Sequence, residues 1–249
     1  MLSKSQISFV KSLHYKKFRK EHRLFIVEGI KSVSEYMHSK YLIKELFFTE
    51  DANLKLANLS QILKVNQITY QDLTRISTLS TPQNVLALVQ LPEDKDIESI
   101  NFANTFTLAL DGIQDPGNLG TIIRVADWFG MKQIICSEDS VEAFNPKVVQ
   151  SSMGSLSRIN IHYLNLSKTF KIAKIPIYAA MLKGTSINKT EFKNEGIILL
   201  GNEGKGISAE LLKQVDHHVT IPGFGEAESL NVAISASLFC YEIKRNYLK

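Results

Sequence analysis

The first half of the chain alternates short apolar runs with segments whose apolar residues recur at helical spacing. Short apolar runs bounded by polar residues predict strands, and the helical spacing predicts helices between them. The predicted strands of this half are Leu24–Val27, Leu42–Thr49, Val65–Thr69 and Val85–Gln90. The predicted helices are Ser3–Tyr15, Ile30–Met37, Leu54–Leu63 and Asp72–Ser77. This alternation predicts a small α/β domain.

The second half repeats the alternation. The predicted strands are Phe106–Leu110, Gln133–Cys136, Ser157–His162, Ile177–Ala180, Gly196–Leu200 and His217–Ile221. The predicted helices are Thr121–Phe129, Pro146–Met153, Leu166–Lys174, Ser208–Gln214 and Leu230–Asn246. Because Phe106–Leu110 is almost wholly apolar, it predicts a strand of a parallel sheet that is covered on both faces.

A polar, proline-containing stretch separates the two halves. Residues 91–96 read Leu-Pro-Glu-Asp-Lys-Asp, which is typical of a linker. With 249 residues, the chain is long enough for one large or two modest domains. We therefore predict an N-terminal α/β domain over residues 1–95 and a second α/β domain with a parallel sheet over residues 96–249.

The composition is that of an ordinary globular protein, with 44% hydrophobic and 22% charged residues. No apolar run reaches the roughly 18 residues that a membrane helix needs. The N-terminus is basic but lacks the apolar segment of a secretory signal. Cys136 and Cys240 both lie in apolar surroundings, which predicts buried free thiols and a cytoplasmic location.

Three polar, glycine-containing loops follow predicted strands. They are Asp111–Gly120, Gly201–Gly206 and Ile221–Ala233. Open parallel sheets bind their ligands at the carboxyl ends of their strands. We therefore predict that the three loops form one ligand site.

The residues of these loops limit the chemistry of the site. Arg124, in the helix after the first loop, carries a fixed charge and a forked donor set that suits phosphate, although it could instead pair with Asp127 or Glu203. The glycine-rich second loop has neither the phosphate-loop spacing nor the dinucleotide-binding pattern. The loops contain neither a Cys/His nucleophile pair nor a metal-ligand spacing. The residues alone thus predict a ligand site and leave its reaction open.

Basic residues concentrate at the N-terminus. Residues 1–24 carry seven cationic side chains against one acid, Glu21, whereas the whole chain has a net charge of +4. Tyr15 and Phe18 interleave with these cations. A basic segment with aromatic residues predicts contact with a nucleic acid, and the alternative is a solvated helix face. The candidate RNA-binding residues are Lys11, Lys16, Lys17, Arg19, Lys20 and Arg23.

Taken together and in order, the loop motifs resemble those of the SpoU (TrmH-type) RNA ribose 2′-O-methyltransferases of the SPOUT superfamily. The matching segments are Asn118-Leu119-Gly120 with Arg124, Gly201–Gly206, Ile221-Pro222-Gly223 and Ser229–Ala233. Ser151–Ser155 resembles a further segment of that family, between the first two motifs. Phe25–Gly29 resembles part of the small, ribosomal-protein-like RNA-binding domain that often precedes these enzymes.

The resemblance implies a C-terminal α/β knot and a homodimer whose site is completed across the subunit interface. It also implies S-adenosylmethionine as methyl donor, with no metal, and an RNA substrate, most often ribosomal RNA. By the same resemblance Arg124 is the catalytic residue, and Asn118, Glu203, Ser229 and Asn231 orient it and the reacting groups. The residues implied to hold the methyl donor are Leu200, Gly201, Asn202, Gly206, Ile221, Leu230 and Ala233.

Several alternatives remain open from the sequence. The substrate could be transfer RNA instead of ribosomal RNA. The chain could also be a non-catalytic RNA-binding module on the same fold, or an enzyme that acts on a small nucleotide. The target nucleotide, and whether its methylation serves ribosome maturation or antibiotic resistance, also stay open.

Overall fold

The computed structural model of the protein describes residues 1–52, 64–93, 97 and 100–245. Their contacts define two units, each with its own β-sheet. The first unit comprises residues 1–93 together with 142–158, and the second comprises 94–141 together with 159–249. Within the described ranges, no helix is long and apolar enough to cross a membrane.

The first unit is built around a four-stranded sheet. Its elements up to residue 93 are α1 (Lys4–Ser12), α2 (Lys16–His22), β1 (Leu24–Glu28), α3 (Ile30–Met37), β2 (Ile43–Phe48), β3 (Val65–Gln67), α4 (Tyr70–Ile76) and β4 (Val85–Gln90). The strand order is β1–β4–β2–β3, with β4 antiparallel to β1 and β2, and β3 parallel to β2. Val10 of α1 and Leu73 of α4 join Ile26, Phe47 and Leu88 of the sheet in one buried cluster.

The predicted strands of this unit are confirmed to within two residues at each end. Helix α2 was not predicted, because six of its seven residues are charged or His and Phe18 alone supplies an apolar signal. The helix ends where Arg23 adopts the left-handed conformation, with φ of 55°. The predicted helix Leu54–Leu63 lies outside the described residues, as does part of the predicted linker, residues 94–96.

The second unit alternates strands and helices, as predicted. Its elements are β5 (Phe106–Asp111), α5 (Pro116–Trp128), β6 (Gln133–Cys136), β7 (Asn160–Tyr163), α7 (Leu166–Ala173), β8 (Ile177–Ser186), β9 (Gly196–Gly201), α8 (Ala209–Leu212), β10 (His217–Thr220) and α9 (Val232–Arg245). Helix α6 (Pro146–Ser151) belongs to the first unit. The strands form a six-stranded sheet in the order β10–β8–β9–β5–β6–β7, and each neighbouring pair is parallel.

The parallel sheet confirms the predicted fold class of the second half. Strands β5, β6 and β9 are almost wholly buried, as expected for strands that are covered on both faces. Because all the strands point the same way, the loops that follow β5, β9 and β10 leave from the same edge of the sheet. This edge is where the sequence predicts the ligand site.

Helix α5 begins five residues earlier than predicted. The sequence pattern predicts a helix that starts at Thr121, directly after the Asp111–Gly120 loop. In the structure Asp115 is the N-cap and its carboxylate accepts a hydrogen bond from the backbone N–H of Asn118, while Pro116 is the first helical residue. Proline suits that position because its missing N–H has no partner within the helix. Asn118 therefore lies within the first turn of α5.

Residues 142–158 pack with the N-terminal unit, although they lie between β6 and β7 in the chain. The segment contains α6 and a 3₁₀ turn at Ser155–Ser157. The Phe144 ring lies 4.8 Å from the Phe25 ring, centroid to centroid, and Arg158 forms an ion pair with Glu35. The predicted domain boundary between residues 95 and 96 stays a prediction. It rests on local composition, which does not indicate that residues 142–158 pack with the N-terminal unit.

Arg19 is buried, with 2% of its surface exposed, so the prediction that it contacts RNA is wrong. Its guanidinium donates hydrogen bonds to the backbone carbonyls of Leu13 and His14 and forms an ion pair with Glu142. The side chain therefore connects the turn between α1 and α2 to the 142–158 segment. A guanidinium buried in this way is not accessible to a phosphate.

Both cysteines are buried free thiols, as predicted. Burial raises the pKa of the Cys136 thiol far above its ordinary value and raises the pKa of the Cys240 thiol to about 12. Because the thiolate is the reactive form, neither side chain is suited to nucleophilic or redox chemistry.

The Arg19–Glu142 pair predicts a large stability effect for Glu142→Gln. The substitution removes the negative partner and leaves the buried guanidinium unpaired, which costs about 3–5 kcal/mol for a buried pair. Urea unfolding followed by far-ultraviolet circular dichroism measures the loss. Glu35→Gln is the matched control, because its ion pair with Arg158 is about half exposed and such pairs contribute about 0–1 kcal/mol. Equal losses for the two variants would contradict the prediction.

Candidate functional site

The first two loops of the candidate site start side by side. Strands β5 and β9 are neighbours, with Leu110 paired to Leu200 and Asp111 paired to Gly201. The Asp111 carboxylate accepts a hydrogen bond from the backbone N–H of Ser208, 2.7 Å away, just before α8. The third loop follows β10, which pairs with β8 on the other side of β9.

The Gly201–Gly206 loop is a tight turn built around the side chain of Asn202. The Asn202 Oδ1 accepts hydrogen bonds from the backbone N–H groups of Gly204 and Lys205. The backbones of Asn202 and Gly206 exchange two further hydrogen bonds. A side chain at Gly201 would place its Cβ 2.4 Å from the carbonyl carbon of Gly206, so this close approach requires glycine.

Asn202 also fixes the second loop to the first. Its Nδ2 donates a hydrogen bond of 2.7 Å to the carbonyl of Gly112, the residue that directly follows β5. Asn202 is therefore a structural residue of the loop, because its side-chain amide is used within the protein. A contact of Asn202 with the methyl donor stays a prediction, and it would involve the backbone groups of this residue.

A chain of side-chain hydrogen bonds connects all three loops. Asn118 donates through Nδ2 to Glu203 Oε1 at 2.6 Å, and Asn231 donates through Nδ2 to Asn118 Oδ1 at 2.9 Å. Asn231 in turn accepts through Oδ1 from the backbone N–H of Ala233, at 2.9 Å, at the start of α9. The three residues that the sequence places in separate motifs thus meet in one network.

The direction of these hydrogen bonds follows from the chemistry of the groups. A carboxylate only accepts, so Asn118 must present its amide nitrogen to Glu203. The amide oxygen of Asn118 can then accept a hydrogen bond, and Asn231 donates it through its own amide nitrogen. The amide oxygen of Asn231 in turn accepts from the backbone N–H of Ala233 at the start of α9. Each of the two amide orientations is fixed by the group before it.

The predicted catalytic Arg124 lies on α5, six residues after Asn118, which is about 9 Å further along the helix axis. Its side chain is exposed. Ser229 is also exposed and lies two residues before Asn231 in the third loop. The structure thus gives both side chains access to a ligand, and their roles stay predictions.

The residues predicted to hold the methyl donor fall into buried and accessible groups. Leu200 and Ala233 are buried, Gly201, Asn202 and Ile221 are half-buried, and Gly206 and Leu230 are exposed. Residues 222–231 are exposed throughout, and Phe224 is fully so. A Cβ added at Gly223 or Gly225 would meet no atom within 4 Å, so the backbone of this loop is accessible.

Two acids that position the site were not identified as such from the sequence. Asp115 caps α5 and so sets the position of Asn118, and Asp111 holds the start of α8. The Asp-Pro pair at residues 115 and 116 is a recognisable helix start and could have indicated the first of them. Among the described residues, no group of three or more His, Cys, Asp or Glu side chains is arranged to hold a metal ion.

The remaining candidate RNA-binding residues lie on the first unit. Lys11, Lys16, Lys17, Lys20 and Arg23 are all exposed, in contrast to Arg19. Arg23 donates hydrogen bonds to the carbonyls of Leu91 and Pro92, so part of its guanidinium is used within the unit. Tyr15 is exposed beside these cations.

Comparison with known proteins gives two family matches. The profile described as the SpoU rRNA Methylase family matches residues 105–241. The profile described as the MRM3-like substrate binding domain matches residues 4–87. The first match contains all three loops of the candidate site, and the second contains the exposed cations of α1 and α2.

Full-length relatives agree with these matches. A protein of Bacillus subtilis named 23S rRNA (guanosine(2553)-2′-O)-methyltransferase RlmP is 30% identical and aligns over 94% of each chain. The solved structure of a TrmH-family protein from Porphyromonas gingivalis is 38% identical, with a TM-score of 0.86 over 99% of each chain. An rRNA methyltransferase from Sinorhizobium meliloti, solved with bound AdoMet, is 28% identical, with a TM-score of 0.88 over 100% of this chain and 97% of that one.

Asn231 predicts a graded stability series. Asn231→Ala removes both the helix cap of α9 and the link to Asn118, whereas Asn231→Ser keeps a capping oxygen and loses only the link. Loss of an N-cap costs about 0.5–2 kcal/mol, so the alanine variant should be about 1 kcal/mol less stable than the serine variant. Urea unfolding midpoints measure this difference, and equal midpoints would show that the cap does not contribute.

Proposed function

Because the chain belongs to the SpoU rRNA methylase family, we propose that it transfers the methyl group of S-adenosylmethionine to a ribose 2′-oxygen of a structured RNA. The C–O bond forms as the methyl–sulfur bond breaks, the thioether leaves, and the hydroxyl proton passes to solvent. The observation that carries this proposal is the hydrogen-bonded chain of Glu203, Asn118 and Asn231. It joins the three loops whose motifs match the family. The AdoMet-bound relative and the named 2′-O-methyltransferase support the same reaction.

The accessible backbone of the third loop fits the methyl donor. Around Gly223 and Gly225 the loop leaves open space, and Leu230, which is 49% exposed, offers apolar surface next to it. Backbone N–H and carbonyl groups of this kind can bind the polar edge of an adenine, while apolar side chains cover its faces. The residues that would hold the donor are Leu200, Gly201, Asn202, Gly206, Ile221, Leu230 and Ala233. When bound, S-adenosylmethionine supplies a methyl group already attached to its leaving group.

Arg124 acts in this proposal by position and charge. An arginine stays protonated in proteins, so its guanidinium does not remove the hydroxyl proton as a base. It can donate charge-assisted hydrogen bonds to an RNA phosphate and to the 2′-oxygen, and so hold the hydroxyl in line with the methyl group. Asn118, Glu203, Ser229 and Asn231 would keep Arg124 and the reacting groups in this arrangement.

The first unit would bind the RNA. Its exposed Lys11, Lys16, Lys17 and Lys20 suit phosphates, and the exposed Tyr15 can stack on an unpaired base. The match to a substrate-binding domain supports this role. Ribosomal RNA is the proposed substrate, with transfer RNA as the alternative, and an enzyme of ribosomal RNA in a bacterial-type family would work in the cytoplasm.

A homodimer is the proposed assembly. Ile234, Leu238 and Tyr241 form an exposed apolar stripe along one face of α9, at helical spacing, and Trp128 is 85% exposed at the end of α5. Helices α5 and α9 pack against each other in the same unit. Exposed apolar side chains on two packed helices form a surface that a second copy of the chain can cover. The knot expected of the family would lie in the C-terminal segment that ends in α9.

Arg124→Ala should reduce methyl transfer by at least about 100-fold, because it removes the charge that positions the hydroxyl. The measurement is transfer of a labelled methyl group from S-adenosylmethionine to ribosomal RNA, with Lys168→Ala, an exposed lysine of α7, as the control. Calorimetry with S-adenosylmethionine should show that donor binding is retained. Full activity of Arg124→Ala would contradict the assigned role.

The alternatives give different results in the same assays. A non-catalytic RNA-binding module would bind RNA without binding S-adenosylmethionine. An enzyme that acts on small nucleotides would not need RNA, and its activity would be unchanged when the N-terminal lysines are removed. Mapping of 2′-O-methyl groups in ribosomal RNA with and without the gene would then identify the target nucleotide.

The apolar stripe predicts that Ile234→Lys produces a monomer. A charge placed in a buried apolar interface must be desolvated without a partner, which opposes association. Light scattering coupled to size-exclusion chromatography measures the mass. Ile172→Lys on α7 is the matched control, because Ile172 and Ile234 are both 52% exposed. A wild-type monomer, or equal masses for both variants, would contradict the proposed interface.

A further inference from the structure

A groove borders β10, the strand at one end of the six-stranded sheet in the described part of the chain. Two adjoining cavities form it, with volumes of about 720 Å³ and about 640 Å³. Lys193, Asp216 and His217 line both cavities, so the two are continuous. We call this feature the β10-edge groove.

Three lysines line the β10-edge groove, Lys174, Lys189 and Lys193, against two carboxylates, Glu191 and Asp216. With His counted as neutral, the formal charge of the lining is +1. The Asp216 carboxylate already accepts a hydrogen bond of 2.9 Å from the backbone N–H of Ile177. The lysines therefore give the groove cationic side chains that can contact phosphates.

Two aromatic side chains that line the groove, His217 and Phe192, both contact the ring of Tyr178. The imidazole of His217 stacks on the buried ring of Tyr178, with centroids 4.7 Å apart and planes at 17°. Tyr178 contacts Phe192 at 4.9 Å and accepts a hydrogen bond from the backbone N–H of Lys193. His217 is itself exposed, so it is an aromatic side chain held in a fixed orientation at the surface.

A groove with cations along its length and an aromatic ring fixed at its surface has the two parts of a site for single-stranded nucleic acid. We propose that the β10-edge groove binds a single-stranded segment of the RNA substrate. Lys189 and Lys193 contact phosphates, and His217 stacks on a base. This inference rests on the proposed RNA methyltransferase function and extends the RNA-binding surface to the methyltransferase unit.

The direction of β10 connects the groove to the candidate site. Asp216 and His217 lie at the start of the strand and Val219 lies near its end, and the third loop of the site begins directly after it. Four residues of strand span about 13 Å. An RNA strand that follows β10 would therefore lead from the groove to the loop that carries Ser229 and Asn231.

The test is fluorescence anisotropy of the full chain with a labelled oligouridine about 12 nucleotides long, a length within the usual site sizes for single strands. Lys189→Ala/Lys193→Ala should weaken binding and should reduce the slope of log affinity against log salt by about 1.4, the value for two lost phosphate contacts on a single strand. His217→Ala should weaken binding at least about fivefold, the lower end of the loss for one base–aromatic stack. His217→Phe should restore most of it.

The control is Lys132→Ala/Lys168→Ala, which removes two exposed lysines of the same unit that lie outside the groove. Thermal unfolding and S-adenosylmethionine binding verify that each variant is folded. The proposal is overturned if the groove double variant matches this control in affinity and salt slope, or if His217→Phe binds as weakly as His217→Ala.

These failures are distinguishable from failure of the proposed function. A wild-type chain that methylates RNA while the groove variants bind RNA normally would refute the groove alone. A wild-type chain that neither binds RNA nor transfers a methyl group would refute both.

Discussion

Three loops leave one edge of a parallel sheet, and hydrogen bonds of side chains join them beyond the strand ends. Asn118 is the central residue, since it donates to Glu203 and accepts from Asn231. An amide can do both, because it carries a donor and an acceptor on one rigid plane. An Asp at this position would place two carboxylates together, and a Leu would leave the other two groups unpaired. The arrangement of the site therefore depends on one amide in the first turn of α5.

The same network connects the site to the fold. Asp115 caps α5 and sets where Asn118 lies, while Asn231 caps α9 with the oxygen that its bond to Asn118 leaves available. Asn202 in addition ties the glycine-rich turn to the end of β5. Because these polar groups are hydrogen-bonded within the protein, the loops are joined before any ligand binds. Such preorganisation lowers the cost of orienting the reacting groups, which is the main contribution expected from a protein whose methyl donor is already activated.

The sequence predicts the alternation of strands and helices well, because apolar runs and helical spacing are local signals. It also indicates the three loops, since each follows a strand and carries glycine or amide residues. It does not predict α2, whose residues are mostly charged, or the early start of α5 at Pro116. Nor does it indicate that residues 142–158 pack with the N-terminal unit, because Glu142 and Phe144 find Arg19 and Phe25 more than a hundred residues away. Contacts of that kind depend on tertiary structure and leave no periodic signal.

The basic residues show the same limit most clearly. Arg19 lies within the most basic stretch of the sequence, yet its guanidinium is buried against Glu142 and two carbonyls. Lys189 and Lys193 lie in a stretch of mixed charge, yet the fold places both beside His217 in a continuous groove. Whether a cation can bind RNA depends on its exposure and on the groups that surround it. Neither property can be deduced from the charge of the local sequence. The clustering of cations along the chain therefore predicts a polyanion as partner, whereas the fold decides which of them can contact it.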